Sequence, residues 1–184
     1  MRNRFSSFMN KSIWVTVILF VLRCGFSWKD IIENVSVYDL YGYAGEAIGV
    51  SAILMTVYEK WLWRRMPLKD VPALARVYSS TLKSSYDNIE RKATLKIKQS
   101  LLSIHVTMIS NESKSQSLSA SIDEIHGEKQ LTYCYLNTPK SKVRHSSEIH
   151  YGTAMLCVEN PKRLTGRYYT DRKTIGDMVF TAKE

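Results

Sequence analysis

Residues 12–28 read SIWVTVILFVLRCGFSW and residues 41–63 read YGYAGEAIGVSAILMTVYEKWLW. A bilayer-crossing helix takes roughly 17–25 mostly apolar residues, and both stretches reach that length. The first has a dense apolar core from Ile13 to Leu22, interrupted by Arg23, with Trp14 and Trp28 placed as interfacial anchors. Tyr41, Tyr43, Tyr58, Trp61 and Trp63 mark the ends of the second, which also holds Glu46 and the small residues Gly42, Gly45, Gly49 and Ser51. Small residues let membrane helices approach closely, although glycine is also simply common in such helices. The expectation is a transmembrane hairpin over 1–66, followed by a separate domain over 67–184. A cleaved signal peptide is the competing reading. It lacks a small-x-small cleavage site, and a second apolar segment follows closely.

Charge sets the orientation. Arg2, Arg4 and Lys11 precede the first span, and Lys60, Arg64, Arg65 and Lys69 follow the second. The connecting loop has Lys29 against Asp30, Glu33 and Asp39. Positive-inside counting therefore places both termini, and with them the domain, in the cytoplasm. The chain carries a formal charge of +9 over 184 residues, of which the part after Pro67 contributes 18 Lys+Arg against 12 Asp+Glu. A domain that basic favours anionic ligands or an anionic membrane surface. The charge is not concentrated as a DNA- or RNA-polymer binder would have it.

Past Val71 the apolar period becomes two. Tyr78, Ser80, Leu82, Ser84 and Tyr86 share one strand face. Leu95, Ile97 and Gln99 alternate next. After Ser100 the phase slips to Leu102, Ile104, Val106 and Met108, which reads as a bulge or bend within one long strand. Turns at Asn111–Lys114, at His126–Lys129 and near Pro139 and Pro161 separate strands near 117–125, from Leu131, and over 150–159, 164–171 and 175–182. Seven strands result, or eight if the bent one counts twice. Closing them into an antiparallel up-and-down barrel removes the exposed edges.

Several chemistries find no support. No G-x-S-x-G elbow, P-loop, kinase set or H-E-x-x-H is present, so no enzyme and no cofactor is expected. Cys24, Cys134 and Cys157 make no C-x-x-C, and His105, His126, His145 and His150 are scattered, so no metal site is expected. Two polar–aromatic groups remain. One strand places Tyr168 and Thr170 on a single face and Arg167 on the other, running into a turn with Arg172 and Thr174. The second group holds Tyr135, Asn137, Thr138, Lys142 and Arg144. Tyrosines stack on bases and arginine forks onto phosphate, so the set suits a compact anionic nucleotide. Tyrosine stripes in strands more often serve packing.

The segments 81–86 (TLKSSY), 135–139 (YLNTP), 147–154 (SEIHYGTA) and 164–174 (LTGRYYTDRKT) resemble the CD-NTase-associated protein 15 family. These are bacterial antiphage effectors of the CBASS signalling systems. The resemblance implies two transmembrane helices in the inner membrane and a cytoplasmic β-barrel. That barrel would receive a cyclic dinucleotide, a uridine-containing one among the plausible ligands, made by a partner nucleotidyltransferase. It further implies homo-oligomerisation, contact with membrane lipids, membrane disruption and death of the infected cell. The ligand contacts expected from residue chemistry and strand placement are Tyr78, Ser80, Tyr135, Asn137, Thr138, Arg144, Arg167, Tyr168, Thr170, Arg172 and Thr174. Two rival readings are a membrane-anchored barrel that binds lipid and one that recruits a protein.

Overall fold

The computed structural model describes residues 2–26, 36–65, 71–84, 90–145 and 147–183. Trp28, Lys29, Asp30, Glu33, Lys69 and Tyr86 lie outside them. The chain divides into two compact units, Met1–Met66 and Pro67–Glu184.

The first unit holds two helices, α1 (Arg2–Phe26) and α2 (Val37–Lys60). Each is long and apolar enough to cross a membrane. Ser36 starts α2: its Oγ accepts the Tyr38 N–H at 3.2 Å, and Asp39 Oδ2 accepts the Ser36 N–H at 3.1 Å. Such a reciprocal box satisfies N–H groups that the first helical turn leaves over. Ala47, Ser51 and Met55, spaced by four, are the buried residues of α2. Ser51 Oγ donates to the Ser12 carbonyl of α1 at 3.3 Å. The close approach therefore uses Ala47 and Ser51. Gly42, Gly45 and Gly49 have open space where a Cβ would stand. Arg23 Nε donates to Glu46 Oε2 at 2.8 Å, and its guanidinium lies 4.2 Å from the centre of the Tyr43 ring. Arg23 and Glu46, one from each helix, thus meet inside one hairpin.

The second unit is a closed antiparallel barrel of eight strands, each paired with its sequence neighbours and the last with the first. In chain order they are β1 (Val77–Ser84), β2 (Glu90–Gln99), β3 (Ile104–Ser110), β4 (Ser113–Ile125), β5 (Glu128–Pro139), β6 (His150–Asn160), β7 (Arg163–Thr170) and β8 (Ile175–Ala182). The phase slip after Ser100 is a full reversal, not a bend, and β2 and β3 form a hairpin in which Gln99 opposes Ile104. Serine side chains close its turn. Ser100 Oγ lies 2.8 Å from Ser103 Oγ and accepts the Ser103 N–H at 3.1 Å, mimicking a backbone turn. The irregularity that does occur is in β4, where the register shifts between Ser117 and Ser119, the kind of kink that helps a sheet curl shut.

Inward positions change character along each strand. On β5 they run Leu131, Tyr133, Tyr135, Asn137 and Pro139, all buried, from one barrel end to the other. Antiparallel β6 runs the opposite way, from His150 and Gly152 through Ala154 to Leu156. One end is therefore apolar, filled by Leu131, Leu156, Leu164, Leu95 and Phe180, each 0% exposed. Tyr78 seals that end: its hydroxyl donates to the Pro161 carbonyl at 2.6 Å and accepts the Ala75 N–H at 2.9 Å. Gln99 ties the incoming segment over it, accepting from Leu74 N–H at 3.0 Å and donating to the Pro72 carbonyl at 2.9 Å. At the opposite end the inward side chains include the polar Ser115, Asn137, His150 and Thr170.

Candidate functional site

The polar end is a mouth framed by the β3–β4 turn, residues 140–145 and 147–148, and the β7–β8 turn. Here Tyr135, Asn137, Ser115, His150 and Thr170 are buried yet polar or half-polar. Ser115 Oγ donates to Asn137 Oδ1 at 2.8 Å. That bond commits the amide oxygen and leaves the Nδ2 hydrogens as the group Asn137 offers. Thr170 and Thr174 hydroxyls are 2.6 Å apart and clasp the β7–β8 turn, whose Lys173 takes a positive φ of 61°.

Arg172 stands on that turn. Its guanidinium donates to Ser147 Oγ and to His150 Nε2, both at 3.4 Å. The His150 Nδ1–H donates to the Glu148 carbonyl at 2.9 Å, which leaves the Nε2 lone pair for Arg172. Both partners of Arg172 are neutral, and no carboxylate lies in ion-pair range of it among the described residues. The adjacent Asp171 is engaged elsewhere, its Oδ2 accepting the Tyr151 N–H at 3.1 Å. A guanidinium uses five N–H donors, so this one retains a fork for an anion.

Tyr135 is the aromatic floor. Its ring end lies where a Cβ at Gly152 would stand, so glycine opposite it on β6 is what admits the ring. Burial pushes the Tyr135 phenol well above its usual range, assisted by Tyr168 and opposed by Arg172. The hydroxyl stays protonated in the site and can donate. Deeper still, Tyr133 OH and Ser80 Oγ are buried without a hydrogen-bond partner. Burial likewise raises the Tyr133 phenol. Buried orphan donors are rare and call for a cause, such as a ligand group they meet when the site is filled.

The structure brings together Tyr135, Asn137, Tyr168, Thr170, Arg172 and Thr174 at the mouth, while Ser80 is buried on β1 opposite Ala93 and Phe180. It separates the rest. Tyr78 belongs to the sealed end. Thr138 and Arg167 point outward, opposite Lys114 and Asp177 on neighbouring strands. Arg144 is exposed beside the mouth, at the end of a short 3-10 turn over Ser141–Val143. His150, Ser115, Ser147 and Gly152 are additions that sequence reasoning did not place in the site. The parity of β6 would have put His150 and Gly152 on the inward face.

A cleft of about 570 Å³ also opens over β8, β1, β2 and β3, lined by Ser79, Ser80, Thr81, Thr94, Lys92 and Lys183 among others. It has no aromatic lining residue, so it offers no stacking surface. Among the described residues no three His, Cys, Asp or Glu side chains gather to hold a metal ion.

Residues 69–182 match the family model described as Cap15, cyclic dinucleotide receptor domain. The chain is also 30% identical over 169 residues to CD-NTase-associated protein 15 of Staphylococcus schleiferi, covering 90% of each. With its barrel matched almost end to end and the relative matched across the helices as well, this chain belongs to the Cap15 family of cyclic dinucleotide receptors.

Proposed function

We propose that the barrel mouth binds a cyclic dinucleotide and that this chain is the membrane effector of a CBASS antiphage system. The carrying observation is Arg172, a cation held over a buried polar cup by two neutral acceptors. Such a group accepts a phosphodiester without first breaking an ion pair. Tyr135 and Tyr168 supply faces for a base. Asn137 presents N–H donors, which match a base carbonyl such as those of uracil, in keeping with a uridine-containing ligand. The sealed half argues against the lipid-binding reading, because fully buried side chains fill it.

In this reading α1 and α2 cross the inner membrane with both termini in the cytoplasm. A ligand drives assembly only by binding the assembled state better than the free one. Copies confined to one membrane need only a modest preference. Gathered hairpins then disrupt the bilayer and the infected cell dies. The Arg23–Glu46 pair lets a single hairpin rest in lipid with both charges matched. Damage on this view begins when crowding opens that pair or exchanges it between neighbours. The barrel acts by binding and performs no catalysis.

Calorimetry on the full chain in nanodiscs against cyclic di-AMP, cyclic di-GMP and cyclic UMP–AMP tests the reading. At least one is expected to bind, and Arg172→Ala is expected to weaken it about tenfold to a hundredfold, the value of hydrogen bonds to a charged group. Absence of binding by all three, or equal affinity of the Arg172→Ala protein, overturns it.

A further inference from the structure

Outside the mouth, the barrel wall over the β6–β7–β8 junction is conspicuously apolar for an exposed surface. Ile149 is 49% exposed, Tyr151 58%, Tyr169 48% and Ile175 60%. The register makes them neighbours: Tyr169 opposes Ile175 across β7 and β8, and Tyr169 opposes Thr153, two residues along from Tyr151. Ile149 directly precedes β6. Together they present roughly 400 Å² of apolar surface, the size at which a patch on a soluble domain signals an interaction.

This wall is bonded to the ligand site. Asp171 N–H donates to the Tyr151 carbonyl at 3.1 Å, and Tyr151 N–H donates to Asp171 Oδ2 at 3.1 Å. Asp171 is the residue before Arg172. A guanidinium drawn toward a phosphate in the mouth therefore pulls on a turn clamped to the outer aromatic patch.

We infer that this wall is the docking surface for a second copy of the same barrel, and that occupancy of the mouth favours the docking. The inference rests on the receptor reading above and adds the surface through which assembly runs. Three observations select a second copy as the occupant. Two such patches bury on the order of 800 Å², below the ~1,200 Å² of a stable free complex, so the contact suits partners already held side by side. Helices α1 and α2 would provide that confinement, placing every barrel beside its own copies at an effective concentration in the millimolar range. Finally, Arg167 opposes Asp177 on this same wall, so a two-fold axis near Tyr169 and Ile175 sets opposite charges facing each other.

The test uses full-length chains carrying N-terminal fluorophores, reconstituted in vesicles of phosphatidylethanolamine and phosphatidylglycerol. Energy transfer between copies is followed with and without the tightest-binding of the three cyclic dinucleotides. Wild type is expected to associate at least about tenfold more readily with ligand. Tyr169→Lys/Ile175→Lys is expected to lose that association while its ligand affinity, measured by calorimetry in nanodiscs, stays within about threefold. The milder Tyr169→Ser/Ile175→Ser serves if the lysine variant misfolds. Variants that bind ligand and still associate like wild type overturn the inference. So does quenching of a probe at position 175 by lipid-borne nitroxide in nanodiscs holding one copy, which assigns the wall to the membrane. If wild type binds none of the nucleotides, the receptor reading fails separately. Density-dependent association of ligand-free wild type, lost in the variants, would then still support the surface.

Discussion

Replacing Gly152 with alanine tests the aromatic floor most directly. A Cβ there would overlap the Cζ and hydroxyl end of Tyr135, closer than real side chains ever approach. The obstructing atoms are the far end of a side chain, so the ring can swing toward the mouth and the strands need not part. Overpacking of this kind costs about 1–3 kcal/mol of stability, a fall in Tm of several degrees for a domain this size. If Tyr135 stacks on a base as proposed, the displaced ring gives up about 1–3 kcal/mol per base, so ligand affinity should drop about tenfold to a hundredfold. Gly166 is the control. A Cβ at that position would meet the Met155 carbonyl oxygen and the Leu156 Cα, which are backbone. Relief there requires β6 and β7 to separate, so Gly166→Ala should cost more than 3 kcal/mol and abolish the folded barrel. Thermal melts and calorimetry of both proteins in detergent give the two readouts. A Gly152→Ala protein with wild-type affinity and wild-type Tm would refute the reasoning, because the Tyr135 ring would then not occupy that space or not serve the site.

Three further outcomes follow from the same geometry. Tyr133→Phe removes a buried hydroxyl that has no partner, so ligand-free stability should rise by up to about 1 kcal/mol, read as a higher Tm, while ligand affinity falls if that hydroxyl meets the ligand. Burial raises the Tyr133 and Tyr135 phenols in the folded state, so their stabilising effect is complete below the unfolded pKa of about 10 and is lost as pH climbs above it; the loss is about 1.4 kcal/mol per pH unit per group, and urea midpoints from pH 8 to 11 should show a slope that Tyr133→Phe makes shallower. Glu46→Gln leaves Arg23 without its carboxylate in the apolar segment, so resistance of the hairpin to SDS should decrease and should recover when Arg23→Gln is added; a double variant no more resistant than Glu46→Gln would show that the pair carries no coupling.

Local physics made much of this molecule readable from its residues. Two apolar runs of membrane-spanning length and period-two alternation after Val71 need only hydropathy and strand geometry, and they lead to a helical hairpin and a barrel. The turn after Ser100 was misread because it has no glycine, proline or asparagine. Paired serine hydroxyls do the work there, and a phase slip looks the same for a bend as for a reversal. Parity along a strand sorts residues into two faces, and it correctly set Tyr168 and Thr170 apart from Arg167. It does not say which barrel end is sealed. Tyr78 and Tyr135 both read as inward tyrosines, yet Tyr78 is consumed by Ala75 and Pro161 at the apolar end while Tyr135 floors the mouth. The Arg172–His150–Glu148 chain and the clamp between Asp171 and Tyr151 join residues about twenty positions apart, and only the pairing of β6 with β7 brings them together. Closure of the sheet is the physical reason: it turns separate alternating strands into one inside with two unlike ends, a property that no single segment possesses.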